Sequence, residues 1–163
     1  MIFDADGLIK LNRAGILLTV AKAFRCLVPS EVYKEAVTDG LAMHHPDAIE
    51  IDAIVSAEME IWSEQLATAG SIFGSGETAA MNLFPLLEDR VAHIVSDDKA
   101  FVRYLTQIGY PCIVPSDLIV RMVKVTLVTK QEALDALNKL RDSIQPSQLN
   151  RALEAINDYP TEG

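Results

Sequence analysis

Cysteine is scarce in this chain: only Cys26 and Cys112 occur. Two thiols so far apart make no disulfide framework and lack the paired spacing of a zinc site. Both are expected as small buried hydrophobes in a reducing compartment. Aromatic residues are 6% of the total, with Trp62 alone of its kind, so no stripe exists on which single-stranded bases would stack. Long apolar runs are missing too. The run from Ala14 to Ala21 is far short of a membrane span, and the stretch from Ile113 to Val128 is broken by Pro115, Asp117, Arg121 and Lys124. The opening Met1-Ile2-Phe3-Asp4-Ala5-Asp6 puts acids where an export signal would carry bases. These absences predict a cytoplasmic protein with no membrane segment. Positive charge is absent from a long middle section, since no Lys or Arg lies between Lys34 and Arg90.

What is present is a globular composition. Of 163 residues, 50% are hydrophobic and 23% charged, enough to bury a core without staples. The net charge of -9 excludes a broadly basic nucleic-acid coat, though not a nuclease with a local basic edge.

Short apolar runs alternate with longer helical patterns. Strands are expected at Ile2-Phe3-Asp4, Cys26-Leu27-Val28, 92–96 and 111–114, with Ile49, Ile51, Ile54 and Val55 holding another. Gly15 should interrupt the helical pattern that follows the first strand. A helix from Glu31 to Thr38 is expected to start at a Ser30 cap and close at Asp39-Gly40. Further helices are expected over 57–67, 76–87 and 98–107, the last stopped by Gly109. Helices over 115–124, 130–143 and 147–157 complete the chain. The alternation predicts an α/β fold, three layers deep, with a central parallel sheet and helices on both faces. Ligands of such sheets bind beyond the carboxyl ends of the strands.

Acids recur at that edge. Asp4 ends the first strand, Glu35 lies one turn beyond the second, Glu77 opens the helix after a glycine-rich connection, and Asp97-Asp98 follow the 92–96 strand. Crowded carboxylates repel, and one takes up a proton unless a cation neutralises them. Hard oxygen ligands suit Mg²⁺ or Mn²⁺, which activate water and stabilise charge on a phosphodiester. The helix-capping roles of Glu77, Asp97 and Asp98 stand as the alternative. Lys10, Lys99 and Arg103 lie near these acids in sequence and are candidates for RNA backbone contacts. His44-His45 reads as a loop pair, since adjacent side chains diverge and no cysteine is near.

The chain resembles the PIN-domain family of metal-dependent ribonucleases. The matching segments are 2–11 (IFDADGLIKL), 28–35 (VPSEVYKE), 74–80 (GSGETAA) and 95–100 (VSDDKA), in family order. The likeness is to the subgroup with a Gly-x-Gly-Glu third motif. It implies a sheet of about five strands and a Mg²⁺ or Mn²⁺ site built from Asp4, Glu35, Glu77 and an acid of the Asp97-Asp98 pair, with Asp98 favoured. It also implies supporting roles for Asp6 and Ser96 beside the ligands. The first motif departs from the usual Asp-Thr-Asn or Asp-Thr-Ser, reading Asp4-Ala5-Asp6 here. The likeness covers most of 1–120, so a PIN-like nuclease domain is expected over 1–124, with a helical extension over 125–163 packed on it.

The resemblance implies endoribonuclease activity on RNA. Many members are toxins held by an antitoxin protein, and many form homodimers; both roles are open for this chain. Two other readings compete. The opening also looks like the first motif of haloacid-dehalogenase-type phosphatases, with Asp4 as nucleophile and Asp6 as acid/base, but that leaves Glu35 and Gly76-Glu77 unexplained. A non-catalytic binding or regulatory module with the same fold is the other.

Overall fold

The computed structural model describes residues 1–64, 66, 71–87 and 92–160. Five short strands form one parallel sheet: β1 (Ile2–Phe3), β2 (Leu27–Pro29), β3 (Glu60–Trp62), β4 (Ile94–Val95) and β5 (Cys112–Ile113), in the order β3-β2-β1-β4-β5. Register is fixed by Ile2 against both Leu27 and Ile94, Val28 against Ile61, and Val95 against Ile113. The chain walks outward from β1 to β3, then returns to place β4 on the other side of β1. The topological switch point therefore lies between β1 and β4, at the heart of the sheet.

Alternating side chains feed two cores. Phe3, Val28 and Val95 point to one face, where they meet α1 (Ala5–Arg13), α2 (Leu17–Ala23), α5 (Pro46–Glu58) and α8 (Pro115–Lys124). Ile2, Leu27 and Ile94 point to the other, against α6 (Ser75–Leu83) and α7 (Lys99–Gln107). The sheet is thus covered on both sides, as parallel sheets require. Gly15 and Gly109 stand at φ +78° and +77°, where they end α1 and α7 as the sequence predicts. Among the described residues no helix is long and apolar enough to cross a membrane.

Four expectations need correction. The β-branched run from Ile49 to Val55 is helix α5, not a strand. Its buried residues are Ala48, Ile51 and Val55, spaced three and four apart, while Ile49 is 66% exposed. Pro46 sets the first turn. The third strand comes later, at Glu60–Trp62, inside the span expected as helix over 57–67; residues 65 and 67 of that span lie outside the described residues. Gly40 does not close its helix. The chain is helical in α3 (Ser30–Tyr33), widens into a π-helical stretch over Lys34–Asp39, and continues through α4 (Gly40–Ala42). A Cβ on Gly40 would lie 2.9 Å from the Ala48 Cβ, so glycine is there to let α5 approach. Ser30 is helical rather than a cap; Pro29 precedes it and the Ser30 hydroxyl donates to Glu31.

The last helices, α9 (Lys130–Lys139) and α10 (Pro146–Asn157), pack on α8 and against each other. Ala133, Leu137, Leu140, Leu149 and Ile156 belong to the same buried cluster as Phe3, Val28 and Val95. Helix α9 starts with a reciprocal capping box of Thr129 and Glu132, and at the start of α10 Gln148 Oε1 accepts from the Gln145 N–H. A shared core predicts one cooperative unfolding transition. Leu137→Ala should shift that whole transition by about 2–5 kcal/mol, measured by urea denaturation followed at two probes. An early, separate loss of the C-terminal helices would contradict this.

Candidate active site

Asp4 is the first residue after β1, and it performs a local task before any functional one. Its Oδ1 accepts from the Gly7 N–H at 2.6 Å and so caps α1. Its Oδ2 is buried and has no hydrogen-bond partner. The residue is 2% exposed. An ionised carboxylate in that position is poorly solvated, and its pKa is raised to about 7. Burial is the main cause; the Ser96 hydroxyl and the Gly7 N–H pull the other way, and the charges of Asp6 and Glu77 push it up further.

Glu35 sits in the π-helical stretch beyond β2, a widened turn of the kind often found at functional sites. As a residue it is exposed, yet its carboxyl is held above the ordinary value. Atoms packed around it contribute most, followed by the charges of Glu77, Asp39 and Asp6, with Lys34 opposing them. Glu77 lies in the first turn of α6. Two glycines make room for these acids. A Cβ on Gly76 would lie 2.8 Å from Glu35 Oε2, and a Cβ on Gly74 would collide with Glu77 Oε2. The Gly-x-Gly-Glu motif thus has a steric reading: its glycines clear the space that the two carboxylates occupy.

Across the switch point, Asp97 and Asp98 divide their roles. Asp98 is exposed and caps α7, its Oδ1 accepting from the Phe101 N–H at 2.7 Å. Its own N–H donates to the buried Ser96 hydroxyl at 3.2 Å. The Asp97 side chain is 4% exposed, with Oδ2 against the Lys10 ammonium and Oδ1 accepting from Gln148 Nε2 at 2.9 Å. Lys10 also donates to Asp6 Oδ2 at 2.9 Å. Burial pulls the Lys10 pKa down, but its bonds to Asp97 and Asp6 outweigh that and leave it above the ordinary value. Lys10 is therefore held between two acids inside the site. Lys99 and Arg103 are exposed on α7, with no salt bridge among the described residues. Gln148 had no signal in the sequence, because it reaches Asp97 from a helix 51 residues away.

The charges of Asp6 and Glu77 bear on both Asp4 and Glu35, and Lys10 ties Asp6 to Asp97. A cavity of about 680 Å³ lies at the opposite, amino end of the strands, lined by Met1, Leu27, Trp62, His93 and Met122 among others; it holds none of these acids.

A parallel sheet in this order, with carboxylates gathered at the carboxyl edge of its switch point, defines a PIN-like α/β domain. A family model for the PIN domain (DUF3368) matches residues 1–158. The chain belongs to the PIN-domain family, whose members are typically ribonucleases and generally bind divalent metals. The match extends through α9 and α10, beyond the four motif segments. No curated protein and no solved structure matched the chain.

The donor set fits such a metal in its chemistry. It offers hard oxygens, a buried carboxylate oxygen without a partner, and mutual repulsion that a cation relieves. Among the described residues no three His, Cys, Asp or Glu side chains are already drawn into a closed ligand group. Water completes much of the shell in Mg²⁺ sites, so an open set of carboxylates is compatible with that ion.

Two outcomes follow from this geometry. Unfolded aspartate loses its proton near 3.8, whereas folded Asp4 keeps it up to about 7. Stability of the metal-free protein should fall as pH rises through that window, by up to about 1.4 kcal/mol per unit. Asp4→Asn should remove most of that slope in thermal melts between pH 5 and 8; a flat wild-type profile would contradict it. Gly76→Ala meets only the tip of a flexible side chain and an ordinary contact at Val32. Its melting temperature should stay within about 3 °C of wild type, while displacement of Glu35 weakens Mn²⁺ binding in calorimetry.

Proposed function

We propose that this chain is a divalent-metal-dependent endoribonuclease, a hydrolase of RNA phosphodiester bonds. The observation that carries the reading is the Asp4 carboxyl: buried, with one oxygen unpartnered, and surrounded by other acids. A group so placed is unfavourable for stability alone and suited to a cation. Asp4, Glu35 and Glu77 would hold Mg²⁺ or Mn²⁺, which when bound supplies an activated water and neutralises charge on the phosphate. The α1 cap fixes the Asp4 side chain, so its free oxygen has one direction in which to act. Ser96 sits beside Asp4 and also receives the Asp98 N–H, which couples the ends of β1 and β4. Lys99 and Arg103, on the exposed side of α7, would meet the backbone phosphates of the RNA. The long acidic section between Lys34 and Arg90 would repel RNA and is better suited to a basic protein partner, the place where an antitoxin would sit.

One observation favours a second reading, that of a binding or regulatory module: among the described residues the carboxylates form no closed ligand group. Cleavage of a structured RNA separates the two. Wild-type protein with Mn²⁺ should cut it, and chelator or Asp4→Asn should lower the rate by about 100-fold or more, in the range seen when a charge-stabilising group is removed. Lys99→Ala with Arg103→Ala should weaken RNA binding and flatten its salt dependence. RNA binding without turnover at saturating Mn²⁺ would select the second reading.

A further inference from the structure

Six acids border this site, Asp4, Asp6, Glu35, Glu77, Asp97 and the α7 cap Asp98, and one cation is already built into it. The Lys10 ammonium lies between Asp6 Oδ2 and Asp97 Oδ2, and the Lys10 side chain is 13% exposed. The remaining Asp97 oxygen accepts from Gln148. Both Asp97 oxygens are therefore engaged, while Asp4 Oδ2 has no partner. Apart from Asp98, the acids fall into two sets, Asp6 and Asp97 sharing one ammonium of the protein, and Asp4, Glu35 and Glu77 without an ion pair among the described residues. Gln148 is held in its turn, since its Oε1 accepts from the Gln145 N–H at the start of α10. The C-terminal helix thus reaches the site through a side chain whose other end is fixed.

We propose that Lys10 is a resident cation standing where a second metal ion would otherwise bind, so that Asp97 is withheld from the ligand set and the site takes one divalent ion per chain. The inference rests on the metal site proposed above and adds its stoichiometry and the division of its acids. The ammonium occupies the space between the two carboxylates and offsets one of their charges, so a divalent ion can bridge them only by displacing it. Among the described residues Asp4, Glu35 and Glu77 make no such ion pair. Lys10 is accordingly a positioning residue: it holds Asp6 and Asp97 and is not itself directed to phosphate.

The test counts ions rather than turnover. Mn²⁺ is titrated into wild-type protein and into Lys10→Gln, Lys10→Arg and Gln148→Leu, using calorimetry for stoichiometry and electron paramagnetic resonance for coupling between ions. Wild type should bind one Mn²⁺ per chain and show an uncoupled spectrum. Lys10→Gln should bind two, with the coupled signal of a neighbouring pair, and Lys10→Arg should return to one. Gln148→Leu should keep one ion, because the ammonium stays. Two ions in wild type overturn the proposal, and this holds even where a variant fails to fold. One ion in a folded Lys10→Gln also overturns it while leaving the nuclease reading intact. No Mn²⁺ bound by wild type overturns both.

Discussion

A carboxylate removed from water needs a hydrogen-bond donor or a cation on each oxygen, and Asp4 has one for only half of its group. The Gly7 N–H satisfies Oδ1 and in doing so starts α1; Oδ2 makes no hydrogen bond, and the neighbouring Ser96 hydroxyl offsets only part of the cost of burial. The consequence is a pKa near 7 at the centre of the sheet's switch point. A protein with no functional use for that group gains by replacing it with Asn or Ser, either of which caps a helix without carrying charge. The rest of the site is arranged around this cost. Glu77 and Glu35 approach from α6 and the π-helical stretch, and two glycines remove the atoms that would keep them away. On the far side Lys10 is shared by Asp6 and Asp97 and offsets one of their two charges, while the Asp6 charge still bears on Asp4 and Glu35.

Fold and site are also coupled through the C-terminal helices. Helices α8, α9 and α10 contribute to the same core as β1, β2 and β4, and α10 sends Gln148 to Asp97. The family match through residue 158 agrees with that packing. Membership in the PIN-domain family makes the acids at the carboxyl edge intelligible as a metal site, while the phosphatase alternative leaves Glu35 and Glu77 without a role.

Much of this was legible in the sequence because strand ends and acids coincide. The runs Ile2-Phe3, Leu27-Val28, Ile94-Val95 and Cys112-Ile113 are short, apolar and flanked by turn residues, and the parallel sheet follows from the helices between them. Helix α8 keeps its expected bounds because Pro115 opens it and Lys124 lies in its last turn. What was hidden depends on tertiary contact. Ile49 to Val55 carries strand-forming residues, but burial against α1 and α2 selects the helical period of Ala48, Ile51 and Val55. Gly40 looks like a stop until the approach of Ala48 is known. The two aspartates after β4 are indistinguishable by type; only the α7 cap separates Asp98 from Asp97. Nearness in sequence to Asp4 makes Lys10 a candidate for phosphate contact, and only the fold shows its ammonium between two acids.

Diffraction from crystals soaked in Mn²⁺, recorded where manganese scatters anomalously, tests the central claim most directly. The account predicts an anomalous peak within ligand distance of Asp4 Oδ2, with Glu35 and Glu77 turned toward it and Lys10 still between Asp6 and Asp97. An anomalous map with no peak beside Asp4, its carboxyl unchanged and the three acids facing apart, would contradict it.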